Sequence, residues 1–413
     1  MKTKHKIIFG DSRNMDIIQS ESVDLMITSP PYPMIEMWDE MFTEQNIEIG
    51  NALKENKGNL AFELMNKELD KVWDEVYRVL KPGGIACINI GDAVRTINKN
   101  FSLYSSHSRI ITHCIKIGFQ ALPEILWRKQ TNAPNKFMGS GMLPPGAYVT
   151  LEHEHIIVLR KGGKREFKRP DEKLNRQKSS FFWEERNVWF SDIWEGLKGT
   201  GQKLTDERIR DRSAAYPFDL AYRLISMFSV KGDTILDPYL GTGTTTVAAM
   251  VSERNSIGVE IDPNFKDTIY SRCDDIVEFG NEYHKKRIDK HLEFVEERTK
   301  TKGALKYENK IYNFPVMTRQ ELEIVFNNIA EIKKIDENLF EAYYDKHPNE
   351  SVVIEKTTTR NKSPKPVVEE KKEEITLSPE DEEKVKEIIE KNCGLVSREG
   401  AIRTLIHQKK NSN

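Results

Sequence analysis

Apolar positions along the first 130 residues switch between two periods. Short apolar runs stand at Lys6 to Phe9, Val23 to Thr28, Ile85 to Ile90 and Ile125 to Arg128. Runs of that length read as buried strands. Between them, Glu68 to Leu80 sets Leu69, Val72, Trp73, Val76, Val79 and Leu80 at helical spacing. Lys81-Pro82-Gly83-Gly84 stops that helix, because Pro cannot continue it and Gly accepts a left-handed cap. Ser108 to Ile117 predicts a second helix closed by Gly118, and Leu151 to Leu159 a further strand. Past residue 215 the same alternation returns. Residues 216–229 form an amphipathic helix with Pro217 near its first turn. Thr234 to Asp237 and Ser256 to Glu260 are strands on either side of a helix through Val247 to Met250. Strand and helix in alternation predict an α/β fold with a doubly wound, mostly parallel sheet.

Two stretches break the pattern. Residues 129–148 are rich in Asn, Gly and Pro, a loop long enough to suspect function. Residues 160–212 hold few apolar runs, several aromatics, and 15 Lys and Arg against 10 Asp and Glu. After about residue 284 the chain is charged and reads as mostly helical to 356. Residues 357–379 read as a flexible linker with too little apolar surface to offset ordering. Residues 380–413 read as a short helical tail. The run Glu369 to Glu390 carries 10 acids against 4 Lys, which argues against contact with a polyanion there.

Composition narrows the class. The chain has 413 residues, 38% hydrophobic and 31% charged, with 63 Lys and Arg balanced by 65 Asp and Glu. That excludes a wholly basic coat protein but not a local basic patch. Cys87, Cys114, Cys273 and Cys393 are scattered with no CxxC, so a disulfide framework or cysteine zinc site is not expected. No apolar run approaches the ~20 residues that span a bilayer, and the start lacks a signal-peptide core. A cytoplasmic, reducing compartment is the expectation.

The segment Asp237-Pro238-Tyr239-Leu240-Gly241-Thr242-Gly243-Thr244-Thr245-Thr246 lies between a strand and a helix. Glycines at such a turn let backbone approach a ligand closely, and the helix start favours anionic groups. Thr246 holds the third glycine position of a dinucleotide fingerprint, and no Gly-Lys-Ser/Thr follows, so neither that motif nor a Walker loop is present. The next strand ends at Glu260, where a carboxylate would hold ribose hydroxyls. Together these indicate a nucleoside-bearing cofactor. The second motif is Thr28-Ser29-Pro30-Pro31-Tyr32-Pro33, directly after a buried strand. Its prolines stiffen a turn that holds a hydroxyl, a free carbonyl and an aromatic face together. Two acceptors in one plane suit a flat –NH₂ group, and the aromatic suits a stacked base.

In this order the two motifs resemble the S-adenosyl-L-methionine-dependent amino-methyltransferases of DNA, over roughly residues 5–280. Ser29-Pro30-Pro31-Tyr32 matches the catalytic tetrapeptide in the form most often associated with cytosine N4 methylation, although some adenine N6 enzymes carry it. Asp237, Tyr239, Gly241, Gly243, Thr244 and Thr245 match the cofactor loop. Gly10-Asp11-Ser12 is similar to the strand-end acid near the cofactor adenine. Because the catalytic motif comes first, the order resembles the permuted β group. The resemblance implies a Rossmann-like seven-stranded sheet built from 1–160 and 213–283, a target-recognition insert at 161–212, a helical extension at 284–356, the linker and the tail. It implies double-stranded DNA as partner, a base flipped from the duplex onto Tyr32, and no covalent Cys adduct. It admits a homodimer, and a cognate restriction endonuclease that acts separately.

Alternatives stay open on the sequence alone. The same fold methylates adenine N6, and a planar –NH₂ also occurs on RNA and protein amides. A non-catalytic DNA-binding subunit is argued against by intact Ser29, Pro30, Asp237 and both glycines. Glu152-His153-Glu154-His155 suggests a metal site, but no third ligand cluster is nearby in sequence and none is expected. Trp183, Trp189 and Trp194 suit either base stacking or a local core.

Overall fold

Val23–Thr28 is buried at every position, as a strand covered on both faces must be. In the computed structural model, which describes residues 1–129, 138–197, 216–348 and 383–384, it lies mid-sheet. The sheet strands in chain order are β1 (Lys2–Phe9), β2 (Val23–Thr28), β3 (Leu80–Ile90), β4 (Phe119–Ala121), β5 (Ile125–Arg128) and β6 (His153–Lys161). Then come β7 (Ile193–Trp194), β8 (Thr234–Asp237), β9 (Asn255–Glu260), β10 (Asn327–Asp336) and β11 (Leu339–Pro348). Among the described residues these make one 11-stranded sheet in the order β7-β5-β6-β3-β2-β8-β9-β1-β11-β10, with β4 beside β6. The central five, β3-β2-β8-β9-β1, run parallel.

The helices are α1 (Asp39–Gln45), α2 (Ile47–Lys54), α3 (Gly58–Val79), α4 (Ser106–Ile117), α5 (Pro170–Lys178) and α6 (Trp183–Trp189). They continue as α7 (Phe218–Phe228), α8 (Thr244–Val251), α9 (Lys266–Asp274) and α10 (Ile276–Lys302). Two apolar layers flank the sheet. One is built on Leu220, Leu224 and Val251, the other on Leu69, Trp73 and Val76 of α3. A doubly wound sheet needs both.

Four expectations change. The sheet has 11 strands rather than seven. Among the described residues of the extension expected at 284–356, the α-helix ends at Lys302, and 327–348 fold as an antiparallel hairpin on β1. Phe340, Ala342 and Tyr344 are buried at period two, while β10 is a charged, exposed edge that carries no helical face. The hairpin is therefore part of the main unit. The helix expected over Glu68 to Leu80 begins at Gly58, with α1 and α2 before it. The described part of the insert packs against α10. Phe182 joins Ile288, Tyr312 and Phe314 in a small core, and Glu185 pairs with Arg287. Trp189 and Trp194 are buried in the main core, whereas Trp183 stays partly exposed. Residues 130–137 and 198–215, the linker 357–379 and the tail apart from 383–384 lie outside the described residues.

Candidate functional site

Strands β2 and β8 are parallel neighbours, so their carboxyl ends open side by side. The turn Ser29-Pro30-Pro31-Tyr32 leaves β2, and the glycine turn leaves β8. Thr28 Oγ1 donates to Asp237 Oδ1 at 2.7 Å, which ties the two turns together across 209 residues of chain. Asp237 is only 2% exposed. It also accepts from Tyr216 OH, from Thr245 Oγ1 and from the Tyr239 backbone N–H. Burial raises its carboxyl above the ordinary range, and these donors work against that rise.

Gly241 and Gly243 have φ of +55° and +85°, the left-handed region that favours glycine. A Cβ at Gly241 would meet nothing within 4 Å, so its backbone faces open space. At Gly243 a Cβ would stand 3.3 Å from Ile269 Cγ2, so that glycine serves helix packing. Gly241 N donates to Glu260 Oε2 at 2.7 Å, and Asp262 N to Glu260 Oε1 at 2.9 Å. Burial pushes the Glu260 carboxyl up to about 7.

A cavity of about 390 Å³ lies between the turns, within the size range of small-molecule sites. Ser29, Pro30 and Pro31 form one part of its wall; Asp237, Tyr239, Gly241, Thr244 and Glu260 form another. Asp11 also lines it, its carboxylate held by Arg13, whose Nη1 reaches Glu68. Burial works to raise the Asp11 carboxyl, but the Arg13 contacts win and hold it below its ordinary value. Gly243, Thr245 and Tyr32 do not line the cavity. Thr245 stands behind it on Asp237. The Tyr32 ring rests on Gly91, where a Cβ would stand 2.9 Å from Cε2.

Sequence reasoning missed the roof, made by Trp38, Met41 and Glu44 on and just before α1, and it missed Tyr216. No motif marks them; Met37, 44% exposed beside the cavity, is the kind of stranded apolar residue that could have flagged the segment. The open carboxyl edge, the glycine turn and the strand-end acid fit a nucleoside-bearing cofactor.

The fold also supplies what the EHEH segment lacked in sequence. Asp92, His107 and His155 come together. Both Asp92 oxygens lie 2.9 Å from His107 Nδ1, and Oδ1 also accepts from the His107 backbone N–H, so Asp92 caps α4. The two imidazoles stack 3.7 Å apart and 9° from parallel. Their in-plane lone pairs run side by side instead of converging on one point, so the cluster carries no metal assignment.

Comparison with known proteins agrees with this geometry. Residues 23–271 match the family model for the N6/N4 DNA methylases. The chain is 51% identical over 345 residues to the type II methyltransferase M.MthZI of Methanothermobacter thermautotrophicus, covering 83% of this chain and 96% of that one. It is 51% identical over 304 residues to the type II methyltransferase M.MjaI of Methanocaldococcus jannaschii, covering 71% and 97%. A solved structure of the putative DNA modification methylase TTHA0409 from Thermus thermophilus, complexed with S-adenosyl-L-methionine, is 31% identical with a TM-score of 0.50. That match covers 65% of this chain and 94% of that one. No helix among the described residues is long and apolar enough to cross a membrane. The chain is thus a DNA methyltransferase that uses S-adenosyl-L-methionine, and it belongs to the N6/N4 DNA methylase family.

Proposed function

We propose that this enzyme methylates the exocyclic N4 of cytosine in duplex DNA, as the modification partner of a restriction endonuclease that acts separately. One observation carries the reading: Ser29, Pro30 and Pro31 line the same cavity as the glycine turn and Glu260. When bound, S-adenosyl-L-methionine supplies an electrophilic methyl group on its sulfonium. Glu260 would hold its ribose hydroxyls, the Gly241 backbone and Thr244 would border it, and Asp11 would lie near its adenine. Asp237, Gly243 and Thr245 act behind this surface by fixing the turn.

An amino nitrogen conjugated to a ring is a weak nucleophile. Ser29 Oγ and the Pro30 carbonyl accept its hydrogen bonds, which draws the lone pair out of the ring and aims it across the cavity. Orientation and electrostatics then supply most of the rate. The base reaches this rim only after leaving the helix, and it would stack on the Tyr32 ring beside the cavity rather than within it. Buried Cys87, Cys114 and Cys273 are not needed as nucleophiles. Ser at position 29 supports the cytosine reading, and the type II relatives support the restriction-modification setting. The test is mass spectrometry of nucleosides from duplex DNA treated with enzyme and cofactor. N4-methylcytosine is expected, and N6-methyladenine would replace cytosine by adenine within the same mechanism.

A further inference from the structure

Behind Ser29 runs a hydrogen-bonded chain that ends at a carboxylate on another strand. Glu154 on β6 is 8% exposed and Asn89 near the end of β3 is 3% exposed. Three donors converge on Glu154. Tyr32 OH reaches Oε2 at 2.9 Å, Asn89 Nδ2 reaches Oε2 at 2.7 Å, and Lys129 Nζ reaches Oε1. Asn89 Nδ2 also lies 3.0 Å from Tyr32 OH. Ser29 Oγ lies 3.1 Å from Tyr32 OH.

The donor count fixes the direction of this chain. A carboxylate only accepts, and a phenol has one proton to give. Tyr32 gives its proton to Glu154, so the Ser29–Tyr32 contact is a donation from Ser29. Serine also has one proton; Asn89 Nδ2, 3.4 Å from Ser29 Oγ, can take one of its two lone pairs, which leaves the other for the cavity. A hydroxyl otherwise rotates freely between donor and acceptor.

We propose that Glu154, held by Asn89 and Lys129, is the positioning residue that makes Ser29 an obligate acceptor for an amine, and that the same chain removes the proton the reaction releases. This rests on the reading of the Ser29 rim as the amine site. Once the amine nitrogen carries its new methyl group it has one proton and one positive charge too many. Its N–H bond breaks as an O–H bond forms on Ser29. The former Ser29 proton passes to the Tyr32 oxygen, and the former Tyr32 proton passes to Glu154 Oε2, which becomes a neutral carboxyl. The positive charge on nitrogen and the negative charge on Glu154 are both discharged, and no other reactant is required. Glu154 then returns its proton to water beside Lys129, whose side chain is 42% exposed. Burial, and next the nearby Glu154 charge, push the Tyr32 phenol well above its ordinary value. Tyr32 therefore relays a proton by gaining one as it loses one, without becoming a phenolate.

The groups facing Glu154 are Tyr32 after β2, Asn89 on β3 and Lys129 after β5. His153 and His155, its chain neighbours, point to the other face of β6. Glu154→Gln tests the inference, with cofactor affinity read by calorimetry and the single-turnover rate on duplex DNA read against pH. A glutamine amide can donate to Tyr32, which reverses the chain and turns the Ser29 proton toward the incoming amine. The expected result is a rate loss of about 10²-fold, cofactor affinity within about twofold, a pH profile changed from that of wild type, and partial recovery in Glu154→Asp. Tyr32→Phe keeps the stacking ring but cuts the chain, so it should lose rate and change the pH profile in the same way even if Glu154→Gln fails to fold. Wild-type rate and pH profile in either variant would overturn the inference. If Ser29→Ala also kept full turnover, the reading of the amine site itself would fall. If Ser29→Ala is slow while Tyr32→Phe and Glu154→Gln are not, only the relay falls.

Discussion

The two walls of the cavity are built on different physics. The glycine wall presents backbone and a strand-end carboxylate, and its side chains are already committed to each other. Asp237 accepts from Thr28, Tyr216, Thr245 and the Tyr239 backbone, and Glu260 accepts from two backbone N–H groups. The proline wall presents one hydroxyl whose direction is set from behind, through Tyr32 to Glu154. One wall is a rigid mould and the other a polarised contact. Damage to the first should appear as lost affinity or stability, damage to the second as lost rate.

The largest expected effect is on the polarised wall. Ser29→Ala should reduce turnover by about 10²–10³-fold, the scale of removing one preorganised polar contact to a reacting group. Cofactor affinity should stay within about twofold, and a matching loss of affinity would erase the distinction between the walls. Asp237→Ala is the counterpart on the mould. It strands buried donors and should cost about 3 kcal/mol of stability, at the upper end for such groups, as read by urea unfolding.

A pH series sharpens the comparison further. The Glu260 carboxyl titrates at about 7 in the free protein, against 4.5 ordinarily. Hydroxyl donors bind the ionised form, so cofactor binding must expel a proton below that value. Affinity should fall up to tenfold per pH unit below about 7 and level off above it. Glu260→Gln should bind more weakly and lose this dependence. The same rise means that Glu260 favours the folded apoprotein at low pH. That contribution is fully present below about 4.5 and is lost as pH climbs through about 7.

The smallest effect lies outside both walls. Tyr344 OH on the hairpin donates to the Met250 carbonyl at 2.6 Å and contacts Thr3 Oγ1. Tyr344→Phe should cost about 1 kcal/mol and leave turnover unchanged.

The sequence disclosed these regions unequally. Buried parallel strands such as Val23–Thr28 announce themselves, because both faces are apolar and the run is short. The two turns were legible because proline and glycine fix backbone geometry locally. The hairpin at 327–348 was not legible, since its outer strand is a solvated edge and its charge suggested a helix. The roof at Trp38 and Met41 carries no motif, only side chains that the fold turns toward the cavity. Glu154 was visible only as part of an EHEH string that suggested a metal. Its role depends on Tyr32 and Asn89, 122 and 65 residues away, which no local pattern connects.

The central claim is that the two walls serve one transfer. A crystal structure of the enzyme with S-adenosyl-L-methionine tests it most directly. The sulfonium methyl should point at the proline wall, within about 6 Å of Ser29 Oγ, leaving room for one amino nitrogen about 3 Å from each. A methyl group turned away from Ser29, or about 10 Å or more from it, would contradict the account.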